Sequence, residues 1–183
     1  ENNVKGNSII LKICEKNKVK RFIYASSIYV FSKYGGIYRE SKQSCEKMIK
    51  KSLIDSTILR FGSIYGPGST DGNTIYDLLN MAILNKKIVY WGKGDEVRQY
   101  IHVRDASKIC EKIFLNKYIN KSLLITGLED TRSNDLINTI CEMFNKKIKV
   151  EYKFQKRSTS HYKNTPFSIM KNSKYIPEIG EKM

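Results

Sequence analysis

Arg21-Phe22-Ile23-Tyr24-Ala25, closed by Ser26-Ser27, decides how the rest of the chain is read. A short, nearly continuous apolar run of this kind suits a strand buried on both faces of a parallel sheet. The segments around it keep a matching rhythm. Upstream, Asn7 to Lys16 sets Ile9, Ile10, Leu11, Ile13 and Cys14 in a moderately amphipathic helical pattern. Downstream, the Gly35-Gly36 break leads into a helix from about Tyr38 to Lys51, followed by a second strand, Ser56 to Phe61. Helix, strand, helix, strand with short connections predicts an α/β fold built on a parallel sheet.

Past Gly66-Pro67-Gly68 the pattern changes. A helix is expected over Thr74 to Leu84, strands over Lys87 to Trp91 and Val97 to Val103, and a helix over Asp105 to Leu115 with Asp105 as its cap. Leu123 to Thr126 reads as a strand ending at Gly127. Asn134 to Phe144 reads as a helix capped by Ser133 or Asn134, and Ile148 to Phe154 as a last strand. From Gln155 the tail is polar, carries Pro166 and Pro177, and is expected to be irregular.

Composition excludes several classes. With 183 residues, 40% hydrophobic and 28% charged, the chain is long enough to bury a core and reads as globular. Its longest apolar run, near Ser8 to Cys14, is far too short for a membrane span, and no signal-peptide pattern opens it. The formal net charge of +15 invites a nucleic-acid reading. The lysines, however, are scattered over helix faces and loops, with no nucleic-acid-binding signature beside them, so we expect no nucleic acid and no membrane as partner. Cys14, Cys45, Cys110 and Cys141 form no CxxC pair and fall in helical patterns, which suits free thiols and a cytoplasmic location. With only His102 and His161 to add, no metal site is expected.

A tyrosine and a lysine four residues apart share a helix face. Three such pairs occur, Tyr29/Lys33, Tyr38/Lys42 and Tyr152/Lys156, and chance alone supplies about two. Context separates them. Only Tyr38/Lys42 opens a long helix just after a strand ending in serines. A phenol titrates near ~10, too high for a base at neutral pH, and an ammonium one turn away favours the phenolate. A serine hydroxyl at the carboxyl end of the strand, where open parallel sheets place their sites, then completes a centre able to take a proton from an alcohol.

These residues belong to a series of motifs. Asn2-Asn3-Val4-Lys5-Gly6, Phe22-Ile23-Tyr24-Ala25-Ser26-Ser27 and Tyr38-Arg39-Glu40-Ser41-Lys42 resemble the "NNVxG", "FIxxSS" and "YxxSK" motifs of the extended short-chain dehydrogenase/reductases, the NAD-dependent epimerase/dehydratase family. Leu59-Arg60-Phe61-Gly62-Ser63-Ile64-Tyr65-Gly66-Pro67-Gly68 is similar to that family's "LRxxNxYGPG". Trp91-Gly92-Lys93-Gly94 with Arg98-Gln99-Tyr100-Ile101-His102-Val103-Arg104-Asp105 is similar to its "fGdG…RDYIHVxD".

The resemblance implies residues 1–66 as the remainder of an NAD(P)-binding Rossmann domain, with the partial parallel sheet. It implies 67–183 as mainly a smaller α+β substrate-binding region, some of whose segments return to that sheet. It implies Ser27, Tyr38 and Lys42 as the catalytic residues, and Asn2, Asn3, Ala25, Tyr38, Lys42 and Gly62 as neighbours of the cofactor, NAD or alternatively NADP. Ser27, Ser63, Asn73 and Arg98 would meet a nucleotide sugar, a UDP-sugar being favoured, with Arg98 on the diphosphate. A homodimer through the helix of the Tyr-Lys pair is implied as well.

The family's GxxGxxG turn does not occur in this sequence, so its cofactor-cradling half and the strands that would cover one sheet edge are expected outside it. Ile28 and Tyr29 stand where sugar 4,6-dehydratases carry acidic residues, which turns the reading toward a UDP-glucose 4-epimerase-like enzyme. A nucleotide-sugar reductase or dehydratase using NADPH is one alternative. A nucleotide-sugar-binding protein without catalysis is the other.

Overall fold

The computed structural model describes residues 2–32, 36–145, 147–153 and 174–175. It opens with α1 (Asn2–Lys16), β1 (Phe22–Ser27), a 3-10 helix (Ile28–Phe31), α2 (Gly36–Lys51) and β2 (Ser56–Phe61). There follow β3 (Ser63–Tyr65), α3 (Thr74–Asn85), β4 (Lys87–Trp91), β5 (Val97–His102) and α4 (Val103–Lys112). After a 3-10 helix at Asn116–Tyr118 come β6 (Lys121–Ile125), β7 (Asp130–Arg132), α5 (Ser133–Met143), β8 (Lys149–Lys153) and β9 (Lys174–Tyr175).

The expected parallel sheet is present, in the order β1-β2-β6-β9. Tyr24 pairs with Ile58, and Leu59 with Leu123. Because side chains alternate along a strand, adjacent residues of β2 serve opposite faces. Ile58 joins Leu11, Tyr24, Cys45 and Ile49 beneath α1 and α2, while Leu59 joins Ile101, Ile109, Ile113 and Ile125 beneath α4. β2, which has a strand on either side, is buried on both faces. Among the described residues β1 is the edge strand, and its Ala25 is exposed.

A second core unites α3, α5 and β4 through Leu78, Ala82, Ile88, Leu136, Ile137 and Ile140, with Val150 of β8 packed against it. Each fully buried isoleucine contributes about 1.5–3 kcal/mol through removal from water. Between the cores, β5 pairs in parallel with β3 and antiparallel with β7. Gly62 and Gly127 make this junction possible. A Cβ on Gly62 would lie 2.5 Å from the Gln99 carbonyl oxygen, and one on Gly127 would overlap that of Tyr100. Their N–H groups donate instead to Ile125 and Tyr100, each at 2.9 Å.

Several expectations are corrected. His102, not Asp105, caps α4, its Nδ1 accepting the Arg104 N–H at 3.3 Å, while Asp105 sits buried within the first turn. Ser133 and Asn134 do not cap α5. The cap position is Arg132, without a side-chain bond, because the N–H groups of Ser133 and Asn134 reach back to the carbonyls of Glu96 and Gly94. The three-residue strands β3 and β7 were too short to show a period. The tail is not wholly irregular, since Lys174–Tyr175 pairs with β6; the rest beyond Lys153 and Lys33 of the Tyr29/Lys33 pair lie outside the described residues. No described helix is long and apolar enough to cross a membrane.

Candidate active site at the carboxyl end of the parallel sheet

Ser26 and Ser27 point to opposite faces at the end of β1, and each has a different task. Ser27 has extended backbone and caps the 3-10 helix, its Oγ accepting the Tyr29 N–H at 3.2 Å. Ser26 donates to Glu46 Oε1 at 2.7 Å on the interior face. Arg60 completes that network, with Nε to Oε1 at 3.0 Å and Nη2 to Oε2 at 2.6 Å, its guanidinium stacked 4.7 Å from the Phe31 ring centre. Burial alone would raise the Glu46 carboxyl, but the hydrogen bonds from Arg60 and Ser26 and the guanidinium charge hold it below the usual range.

Helix α2 brings the tyrosine and the lysine to the same end. Tyr38 lies in its first turn and is 46% exposed, open to a ligand. Lys42, one turn on, donates from Nζ to the Ala25 carbonyl at 2.9 Å. That ammonium stands 5.8 Å from the Tyr38 ring centre and 5.1 Å from that of Tyr24. Burial, with the Cys45 thiol beside it, pushes the Tyr24 phenol well above its ordinary range, so it stays neutral. Tyr29 meets Tyr38 edge-on, ring centres 5.8 Å apart at 86°. Lys42 thus joins Ala25 to Tyr38, and Ser27 is linked to Tyr38 through Tyr29.

Asn3 borders this group from α1. Its side-chain amide faces Ser41 Oγ at 3.5 Å, and its carbonyl accepts from the Cys45 thiol at 3.6 Å, so it stitches α1 to the helix of the Tyr-Lys pair. The Asn2 backbone starts α1, and its side chain lies outside the described residues. Gly62 has a demand of its own, the close passage of Gln99.

Arg98 and Asn73 come to the head of α3, and Ser63 lies on the adjoining strand β3, which together make a second group. Ser63 opens β3 opposite Tyr100 of β5. Arg98, two residues before Tyr100, donates from Nη1 to Thr74 Oγ1 at 2.9 Å, bringing its guanidinium to the N-terminus of α3. Asn73 caps that helix, accepting from the Tyr76 N–H at 3.3 Å, and donates to the Ile64 carbonyl at 2.7 Å, so both ends of its amide are committed to backbone. Beside it opens a cavity of about 380 Å³ lined by Ile64, Tyr65, Pro67, Thr70, Asn73 and Val103. Tyr100 connects the clusters. Its phenol is pushed up to about 12 chiefly by burial, against the pull of Arg98 and with added repulsion from Tyr90 and Tyr29.

The Glu46–Arg60 pair was not singled out from the sequence, although a signal existed. An arginine inside the buried strand Ser56–Phe61 requires a buried carboxylate. Among the described residues no cluster of His, Cys, Asp and Glu is able to hold a metal ion.

Residues 1–122 match the model of the NAD dependent epimerase/dehydratase family. A dTDP-D-glucose 4,6-dehydratase of Dictyostelium discoideum is 27% identical over 135 residues, covering 57% of this chain and 31% of that protein. Among solved structures, dTDP-glucose 4,6-dehydratase of Bacillus anthracis in complex with NAD superimposes with a TM-score of 0.76 at 20% identity, over 85% of this chain and 56% of that one. UDP-glucose 4-epimerase of Thermotoga maritima with UDP-glucose does so with a TM-score of 0.75 at 20% identity, over 86% and 58%. The chain thus spans about a third of the curated relative and a little over half of each solved structure, and the structural likeness is one of fold. With the family model covering more than half of its length, the chain belongs to the NAD dependent epimerase/dehydratase family.

Proposed function

We propose that this chain carries the Ser/Tyr/Lys centre and nucleotide-sugar site of an NAD-dependent epimerase, acting on a UDP-sugar in the manner of UDP-glucose 4-epimerase. The observation that carries this reading is the composition of the turn beside Tyr38. Ile28, Tyr29, Val30 and Phe31 follow Ser27 without a carboxylate, which favours proton exchange with an alcohol over elimination of water.

The residues present fit the ribose and nicotinamide end of a dinucleotide. Lys42 has three N–H bonds and Ala25 holds one, which leaves two for a phenolate and a ribose hydroxyl. Lys42 and Tyr38, with the Ala25 backbone, are the groups that would hold it. NAD supplies reversible acceptance of a hydride from the alcohol carbon. Ser27 Oγ orients the sugar hydroxyl, and Tyr38 takes its proton as the carbinol becomes a ketone. On return Tyr38 gives the proton back, and turning of the keto-sugar exposes its other face to reduction. Arg98, beside Thr74 at the N-terminus of α3, binds the diphosphate, since a guanidinium and a helix N-terminus favour the same anion. The net charge of +15 assists its approach.

We also read the protein as a homodimer through α2, a reading supported by the half-exposed Ile9, Ile10 and Ile13 on α1, its packing partner. The test is direct. The full-length gene product, given NAD+ and UDP-glucose or UDP-galactose, is expected to interconvert the two sugars with catalytic NAD. Absence of interconversion removes the substrate assignment, and stoichiometric consumption of NADPH in a parallel assay supplied with it would mark a reductase.

A further inference from the structure

Tyr29 has no part in the mechanism above, yet it touches two of the groups that do. Its N–H donates to Ser27 Oγ at 3.2 Å. That bond fills one acceptor site of the hydroxyl and leaves its own hydrogen for a ligand oxygen. Its ring meets the Tyr38 ring edge-on at 5.8 Å and 86°, a favoured aromatic geometry. The Tyr29 ring is itself held, since it packs against the buried side chains of Ile28 and Leu124. Tyr38 stands on the first turn of α2 and is half exposed, where a phenol has rotamers to choose from.

We propose that Tyr29 is a positioning residue, which sets the Ser27 hydroxyl through its amide and restrains the Tyr38 phenol through its ring. The inference rests on the reading of Ser27 and Tyr38 as a catalytic pair. Its physical content is that one core-anchored residue, through its backbone N–H on Ser27 and its ring on Tyr38, fixes the relative placement of two reacting hydroxyls. Misplacement of such groups by about 1 Å costs about 100-fold in rate. The restraint on Tyr38 comes from the Tyr29 ring and does not depend on its hydroxyl.

The test compares Tyr29→Leu with Tyr29→Phe in the full-length gene product, with NAD+ and UDP-glucose. Tyr29→Leu is expected to lower kcat about ten-fold or more at unchanged KM, and Tyr29→Phe to recover most of that loss. A wild-type kcat in Tyr29→Leu overturns the proposal. An equal loss in Tyr29→Phe also overturns it, and would make the hydroxyl a substrate contact. A second readout needs no substrate. In protein labelled with 13C-tyrosine, the Tyr38 ring signal, assigned by its disappearance in Tyr38→Phe, is expected to lose its ring-current shift in Tyr29→Leu and keep it in Tyr29→Phe. An unmoved signal in Tyr29→Leu refutes the positioning role whatever sugar the enzyme takes. Should Tyr29→Leu fail to fold, Tyr29→Met, which keeps bulk against Leu124 without a ring, must show the same lost shift.

Discussion

The Lys42 ammonium hydrogen-bonds the Ala25 carbonyl oxygen at 2.9 Å, so the helix and the strand that carry the centre are tied together at the site itself. Lys42→Met removes both that tie and the charge facing Tyr38. Activity is expected to fall about 100-fold or more. Lys42→Arg is not expected to rescue it, because a planar fork cannot offer its donors to three directions as an ammonium does. Steady-state rates of the two variants check this.

Tyr38→Phe is expected to abolish turnover while leaving the fold intact. Its hydroxyl belongs to a half-exposed side chain, so stability should move by no more than about 0.5 kcal/mol, whereas loss of an acid/base group costs about 100- to 10,000-fold. Activity and urea denaturation measured on one preparation separate the two effects. Wild-type turnover in this variant would remove Tyr38 from the chemistry.

Glu46→Gln leaves the Arg60 guanidinium buried without its counter-charge. A cost of about 3–5 kcal/mol is expected at neutral pH. The Glu46 carboxyl titrates below its ordinary value in the folded state, so its contribution is complete above the unfolded carboxylate pKa, about 4.3, and is lost as pH falls through the depressed folded value. The stability gap between wild type and Glu46→Gln should therefore narrow on acidification below about pH 4.3. Denaturation curves over that range decide the matter.

Gly62→Ala places a methyl group 2.5 Å from the Gln99 carbonyl oxygen and 3.2 Å from Thr126 Cγ2. Strain of about 1–3 kcal/mol is expected, with β2 and β5 forced apart where the two clusters meet. Gly6→Ala is the useful comparison, since no atom lies within 4 Å of a Cβ there and its backbone is helical. Urea midpoints for both variants test whether close approach is the cause at Gly62.

Arg98→Ala is expected to raise KM for the nucleotide sugar about 10- to 100-fold, with a smaller effect on kcat. Arg98→Lys should recover part of the loss, because it restores charge but not the bidentate fork. Equal KM values in wild type and Arg98→Ala would exclude Arg98 from the diphosphate site.

What the sequence determined by itself is what depends on neighbours in the chain. The period of Ile9 to Cys14, the apolar run at Phe22–Ala25 and the helix behind Gly36 are local signals, and each yielded its element. The order of Ser27, Tyr38 and Lys42 was legible for a related reason, since a strand end, a short connection and one helical turn already bring them close. Only the tertiary structure decided which strand is buried on both faces, because that depends on β6 arriving some sixty residues later beside β2. It alone paired Glu46 with Arg60, gave Gly62 its reason in the carbonyl of Gln99, and made His102 rather than Asp105 the cap of α4. It also brought Arg98 to the head of α3 and set the Tyr29 ring against Tyr38. Hydrogen bonds and ring contacts between distant residues leave no period along the chain, so packing had to supply them.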